Sequence, residues 1–151
     1  MSSLFVFPGQ GAQKPGMLHR LPQEPEVLDC LQQASDVIGE DALTLDSEAA
    51  LASTRSVQLC LLIAGVAGAR LLMRGGQAPD YVAGLSIGAY AAAVVAGSLD
   101  YRDAVRLVAL RGELMQQAYP QGYGMTAILG LSLTAVEGLL AEAEPDRKST
   151  R

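Results

Sequence analysis

A serine stands between two glycines in the segment GLSIG at 84–88, directly after a short apolar run and directly before a segment rich in alanine. The run at 81–84 predicts a strand, and 87–96 predicts a helix with small side chains. Gly84 and Gly88 permit the tight strand-to-helix turn that exposes a serine nucleophile. The junction therefore favours folds in which a strand leads straight into a helix. A glycine-flanked serine that only caps a helix has the same local pattern.

Short apolar runs alternate with longer helical segments along the whole chain. Strands are predicted at 4–7, 81–84 and 125–129, and helices at 25–38, 57–73, 87–96, 101–118 and 132–144. We expect Ser56, Asp100 and Ser132 to cap three of these helices. The alternation is typical of an α/β fold with a parallel sheet. Three strands are few for such a sheet, so we expect a truncated chain that ends before its fold is complete.

Composition excludes several classes of protein. Of the 151 residues 50% are hydrophobic and 18% are charged, which argues against disorder. The net charge is −5, and the sequence has no basic patch that would indicate nucleic-acid binding. The longest apolar stretch, 59–69, is shorter than the about 20 residues of a membrane-spanning helix. The N-terminus does not resemble a signal peptide, so we expect a cytoplasmic protein that binds no membrane.

Cysteine and histidine are scarce. Cys30 and Cys60 lie among leucines in predicted helices, where buried thiols are expected. With His19 as the only histidine, the sequence contains no Cys/His cluster, and we expect no metal site. His19 is expected to be solvated, with a role as general base for Ser86 as the alternative.

Two backbone N–H groups are candidate donors to an oxyanion formed at Ser86. The first belongs to Ile87, at the start of the predicted helix. The second belongs to Gln10, in the glycine-rich segment that follows the first predicted strand. Loops after parallel strands meet at one edge of a sheet, so we predict that Gln10 and Ser86 lie at the same edge. The alternative for Gln10 is an ordinary surface turn.

Arg111 lies on the apolar face of the helix predicted at 101–118. A guanidinium on such a face needs a partner, because a buried unpaired charge costs several kcal/mol. Helical spacing leaves two partners equally open: a carboxylate within the protein, or an anionic group of a substrate.

Several segments together resemble the malonyl-CoA:acyl-carrier-protein transacylases. They are FVFPGQGAQKPGM at 5–17, Val57-Gln58, GLSIGAYAAAVVAGSL at 84–99 and ALRGELMQQA at 109–118. The resemblance extends to about residue 140. It implies a hydrolase-like parallel-sheet core over 1–123 and, over 124–151, the incomplete beginning of a small ferredoxin-like subdomain.

The resemblance also implies roles for individual residues. The matching positions are Ser86 for the acylated serine, Gln10 and Ile87 for the oxyanion hole, and Arg111 for binding the free carboxylate of malonyl. Gln58 matches a glutamine near the family's active site, and Leu85, beside the serine, is a further candidate neighbour of that site. The implied substrate is malonyl-CoA, the implied acceptor is the phosphopantetheine-type arm of a small acyl-carrier protein, and no tightly bound cofactor is implied.

Two positions beside the serine depart from the common family pattern GHSLGE. Leu85 and Ala89 stand where many members carry His and Glu. The pattern GLSIGA is similar to the transacylase (epsilon) subunit of bacterial malonate decarboxylase. It implies transfer to the carrier subunit of that complex, with the other decarboxylase subunits as further partners. The alternative is the malonyl transacylase of fatty-acid synthesis.

The family's catalytic histidine lies downstream of the serine, whereas no histidine follows His19 here. We therefore expect an incomplete transacylase that lacks its general base. Two functions of other classes stay open: an esterase-type serine hydrolase, which has no use for Arg111, and a non-catalytic fragment that binds acyl-CoA or a carrier.

Overall fold

The computed structural model describes residues 2–118 and 128–143, which contain two strands and five α-helices. In chain order they are β1 (Leu4–Phe7), α1 (Pro25–Ile38), α2 (Thr54–Arg74), β2 (Tyr81–Gly84), α3 (Gly88–Val95), α4 (Tyr101–Ala118) and α5 (Leu133–Ala143). Short 3₁₀ turns at Ala42–Asp46 and Ala50–Ala52 lie between α1 and α2. The chain divides into two compact units, Met1–Pro120 and Gln121–Arg151, and α5 belongs to the second.

The two strands pair in parallel, with Leu4 opposite Tyr81 and Phe7 opposite Gly84. This register confirms the predicted parallel arrangement, and it aligns the carboxyl ends of both strands. Phe7 is buried against α2, whereas Leu4, Val6 and Tyr81 are exposed on the other face. Parallel sheets are usually covered on both faces. Within the described part of the first unit, helices cover only one face.

Helix α2 forms the centre of the first unit and packs against α1, α3 and α4. Its buried side chains include Leu59, Leu62, Ile63 and Val66. Of the described helices, only α2 has the length and hydropathy to cross a membrane, a test that core helices also pass. Because 61% of its apolar window is buried inside the fold, α2 is accounted for as the core helix.

Most predicted boundaries agree with the structure, but the start of α2 does not. The helix begins at Thr54 with Ser53 as its N-cap, and Ser56 is a buried residue of the first turn rather than a cap. The apolar run that begins at Val57 set the predicted start. The polar turn before it is nevertheless helical, and its Arg55 forms ion pairs with Glu40 and Glu113.

The predicted caps of α4 and α5 are confirmed. The Asp100 carboxylate accepts hydrogen bonds from the N–H groups of Arg102 and Asp103, and the Ser132 hydroxyl accepts one from Ala135. The strand predicted at 125–129 falls mostly outside the described residues, and its last two residues are not in a strand.

Both cysteines are free and buried, as predicted. Burial raises the pKa of the Cys30 thiol to about 11 and that of the Cys60 thiol to about 12. Both thiols are therefore protonated at neutral pH, which keeps them weak nucleophiles.

The crossing of α2 and α4 depends on Gly112. A Cβ at this position would lie 2.5 Å from the Arg55 Cα, so the two helix backbones approach each other more closely than alanine allows. This close approach determines where α4 crosses α2, and therefore which part of α2 lies beside the neighbouring Arg111.

We predict that Gly112→Ala lowers the free energy of unfolding by about 1–3 kcal/mol, because the helices must separate to admit the methyl group. Gly68→Ala is the matched control, since Gly68 lies within α2 and a Cβ there meets no atom within 4 Å. The control is expected to be neutral or more stable by up to about 1 kcal/mol. Urea unfolding of both variants measures the difference, and equal stabilities would contradict the tight crossing.

Candidate active site

The turn between β2 and α3 is closed by two glycines. A Cβ on Gly84 would overlap the carbonyl group of Gly88, and a Cβ on Gly88 would overlap the carbonyl oxygens of Phe7 and Pro8. Gly84 thus lets the strand turn back onto the helix, while Gly88 lets the helix start against the end of β1. Both positions require glycine for steric reasons.

Ser86 lies at the apex of this turn in a left-handed conformation. Its φ of 53° is the only positive φ of a non-glycine residue in the described parts of the chain. The turn is held by hydrogen bonds from Leu85 N–H to the Phe7 carbonyl and from Gly88 N–H to the Leu85 carbonyl. The side chains of Ser86 and Leu85 are exposed. This is the geometry of a nucleophile elbow, as the sequence predicts.

The glycine-rich segment after β1 lies beside this turn. A Cβ on Gly9 would be 3.1 Å from the Leu85 carbonyl oxygen, so the two loops are in contact at the carboxyl ends of the strands. Within the described residues, the N–H groups of Gln10 and Ile87 donate no hydrogen bond. The structure thus brings both predicted donors to the edge that carries Ser86. Their role in an oxyanion hole stays a prediction.

Arg111 points from α4 toward Ser86. One guanidinium nitrogen donates to the Ser86 Oγ at 3.2 Å, and the other terminal nitrogen donates to the Gln58 Oε1 at 2.7 Å. No carboxylate of the described residues lies within 4 Å of the guanidinium. Among these residues the first alternative, an internal carboxylate, is therefore wrong. The charge is available to an anion bound beside Ser86.

Gln58 is fully buried on α2 and links two residues of α4. Its Oε1 accepts from Arg111, and its Nε2 donates to the Met115 sulfur at 3.2 Å. Arg111 and Met115 are one helical turn apart, so they share a face of α4. The weak resemblance at Gln58 thus corresponds to a direct contact with the arginine.

His19 is held by a buried carboxylate. Its Nδ1 lies 2.8 Å from the Asp46 Oδ1, and the Asp46 carboxylate also accepts from the backbone N–H groups of Leu18 and His19. Asp46 is only 1% exposed, whereas the His19 side chain is 58% exposed. His19 is solvated as predicted. Its ring anchors the end of the glycine-rich segment, and among the described contacts it does not reach Ser86.

Sequence analysis missed Asp46 and the polar contact of Met115. Asp46 binds a segment 28 residues before it, and no local pattern indicates such a distant partner. Met115 was visible only as an apolar helix residue. Among the described residues, no group of three or more His, Cys, Asp or Glu side chains is placed to hold a metal ion.

The positive φ of Ser86 predicts that glycine is more stable than alanine at this position. Both substitutions remove the hydroxyl, but only Ser86→Gly relieves the left-handed strain. We therefore expect the free energy of unfolding of Ser86→Gly to be about 1 kcal/mol higher than that of Ser86→Ala. Ser47, exposed and at φ −67°, provides the control pair, in which the alanine variant should be more stable. The same order at both sites in urea unfolding would contradict the strain.

Comparison with known proteins identifies the family. Residues 4–146 match the acyl transferase domain family. The malonyl CoA-acyl carrier protein transacylase of Haemophilus influenzae is 44% identical over 146 residues, which cover 92% of this chain and 47% of that protein. The chain thus spans about half the length of the curated relatives it matches.

Solved structures agree with the sequence match. The malonyl CoA-acyl carrier protein transacylase from Coxiella burnetii has a TM-score of 0.85 at 43% identity, covering 95% of this chain and 47% of that one. The structure of a type II PKS acyl-carrier protein in complex with its malonyl-transacylase has a TM-score of 0.83 at 41% identity. The match covers 94% of this chain and 48% of that one. With most of its length matched in sequence and in backbone, the chain belongs to the acyl transferase domain family.

Proposed function

We propose that Ser86 carries a malonyl group from malonyl-CoA to the thiol of an acyl-carrier protein. The observation that carries this proposal is the 3.2 Å contact between the Arg111 guanidinium and the Ser86 Oγ. A malonyl ester on this oxygen is only three carbons long, so its free carboxylate stays within reach of the guanidinium beside it. A charged clamp next to the serine is what a dicarboxylic acyl group requires.

The proposed transfer has two steps. Ser86 Oγ forms an ester bond to the thioester carbonyl of malonyl-CoA while the carbon–sulfur bond breaks, and the hydroxyl proton leaves with the CoA thiol. The thiol of the carrier's phosphopantetheine-type arm then attacks the ester carbonyl, a thioester forms as the bond to Ser86 Oγ breaks, and the thiol proton returns to Oγ. In both steps the N–H groups of Gln10 and Ile87 would stabilise the negative oxygen.

Proton transfer is the weak point of the described site. Serine is a poor nucleophile without a base, and the only described side chain that contacts the Ser86 hydroxyl is Arg111, which donates rather than accepts. We therefore expect this chain alone to be acylated about 10³-fold or more slowly than a serine assisted by a base.

The carrier is the finer part of the proposal. The similar proteins named above are malonyl CoA-acyl carrier protein transacylases, and one similar structure holds an acyl-carrier protein. These comparisons support an acyl-carrier protein as acceptor, and so favour the alternative given above, the malonyl transacylase of fatty-acid synthesis, over the malonate decarboxylase subunit. The carrier of malonate decarboxylase remains a second candidate, because Leu85 and Ala89 are the residues that favour it.

Three further predictions remain proposals. They are the division of the chain at 123/124, the ferredoxin-like nature of the segment that includes α5, and a cytoplasmic location. None of them is needed for the chemistry at Ser86.

We predict that malonyl-CoA produces a malonyl adduct on Ser86, detected by intact mass and peptide mapping, in excess of the acetyl adduct from acetyl-CoA. Ser86→Ala should abolish both adducts. Arg111→Ala should reduce the malonyl adduct about tenfold or more and spare the acetyl adduct, because it removes charge-assisted hydrogen bonds to the free carboxylate. Unchanged selectivity in Arg111→Ala would exclude the clamp. An adduct formed equally from neutral esters would favour an esterase, and binding without any adduct would favour a non-catalytic protein.

Carrier choice is a separate prediction. The malonyl-Ser86 form, freed of excess malonyl-CoA, should lose its acyl group to a fatty-acid acyl-carrier protein faster than to the malonate decarboxylase carrier. Apo carriers without a prosthetic arm are the control, since they offer no thiol. Faster discharge to the decarboxylase carrier would reverse the assignment.

A further inference from the structure

The Arg111 guanidinium is held from the side opposite Ser86. A long arginine side chain is flexible in isolation and loses about 2 kcal/mol of rotamer entropy when it is fixed. Here one terminal nitrogen is bound to the Gln58 Oε1 at 2.7 Å, and this contact directs the other terminal nitrogen toward the Ser86 Oγ. Gln58 is fully buried, so water does not compete for its amide.

The orientation of the Gln58 amide satisfies both of its contacts. A guanidinium only donates hydrogen bonds and a thioether sulfur only accepts them, so the Oε1 atom faces Arg111 and the Nε2 group faces Met115. A flipped amide would place its donors against the guanidinium and its oxygen against the sulfur. Since Arg111 and Met115 lie one turn apart on α4, the same face of this helix supplies both partners of the Gln58 amide, the guanidinium and the sulfur.

We propose that Gln58 is the positioning residue that holds Arg111 for the carboxylate of the acyl group, and that Met115 supports this orientation by accepting a hydrogen bond from the other end of the amide. This inference rests on the proposed function for the identity of the anion, but not for the ordering of Arg111. Gln58 has no contact with the acyl group in this role. It determines malonyl selectivity through the arginine alone.

The test separates ordering from function. In chain labelled with ¹⁵N-arginine and free of ligand, the Arg111 Nε–H signal should show a high heteronuclear NOE, and Gln58→Leu should lower it to the value of an exposed arginine. In a titration with malonate, with acetate as the reference anion, Gln58→Leu should weaken malonate binding about tenfold, the size expected for a lost hydrogen bond to a charged group. Gln58→Glu should weaken it further, because the new carboxylate pairs with Arg111.

Met115 gives a variant that leaves the core intact. Met115→Leu should lower the Arg111 NOE and weaken malonate binding two- to threefold, whereas Met73→Leu, at an equally exposed methionine of α2, should change neither. This pair keeps the test decisive if a buried Gln58 variant fails to fold.

Two patterns of failure are distinguishable. If Arg111→Ala leaves malonate binding unchanged, the proposed function fails at its carboxylate clamp. If Arg111→Ala abolishes binding while folded Gln58→Leu retains both the NOE and the affinity of the unmodified chain, the positioning role of Gln58 is overturned. An unchanged Met115→Leu overturns the role of the sulfur.

Discussion

The start of α3 lies against the end of β1 with no room for a side chain, and the site depends on this contact. Gly88 meets the carbonyl oxygens of Phe7 and Pro8, and the Leu85 N–H continues the pairing of the two strands into the turn. As a result the turn that carries Ser86 and the loop that carries Gln10 occupy one edge. A methyl group at Gly88 would push the turn and the loop apart. The absence of a Cβ at this position therefore keeps Ser86 and Gln10 at the same edge of the paired strands.

The second determinant is the crossing of α2 and α4. Gly112 brings the helices together next to Arg55, and its neighbour Arg111 then meets Gln58 of α2. The guanidinium has no described carboxylate beside it. It donates from α4 to Ser86, which lies in the turn between β2 and α3. Its partner on α2 is a buried neutral amide and not an acid, so the positive charge is not neutralised among the described residues.

Much of the fold could be read from the sequence because its signals are local. Both strands, the end of α1 at Gly39 and the caps of α4 and α5 follow from apolar runs, glycine and short polar side chains. The start of α2 was misplaced because its first turn is polar, and the contacts of that turn, such as the Arg55 ion pairs, are with residues distant in the chain. The exposed apolar face of the sheet, at Leu4, Val6 and Tyr81, also follows from tertiary packing alone.

The sequence by itself determined the turn at Ser86, since this turn depends on residues close together in the chain. Helical spacing placed Arg111 on the apolar face of α4, whereas the structure leaves it partly buried beside the buried positions Val108 and Gly112. Only the tertiary structure decided what these residues meet. Arg111 contacts Gln58 across 53 positions and Ser86 across 25, and Asp46 holds a loop 28 residues away. Helical spacing predicts the direction in which a side chain points, but not the residue that it meets. A hydrogen bond joins atoms about 3 Å apart whatever their separation in the sequence, so the partner is determined only when separate elements pack together.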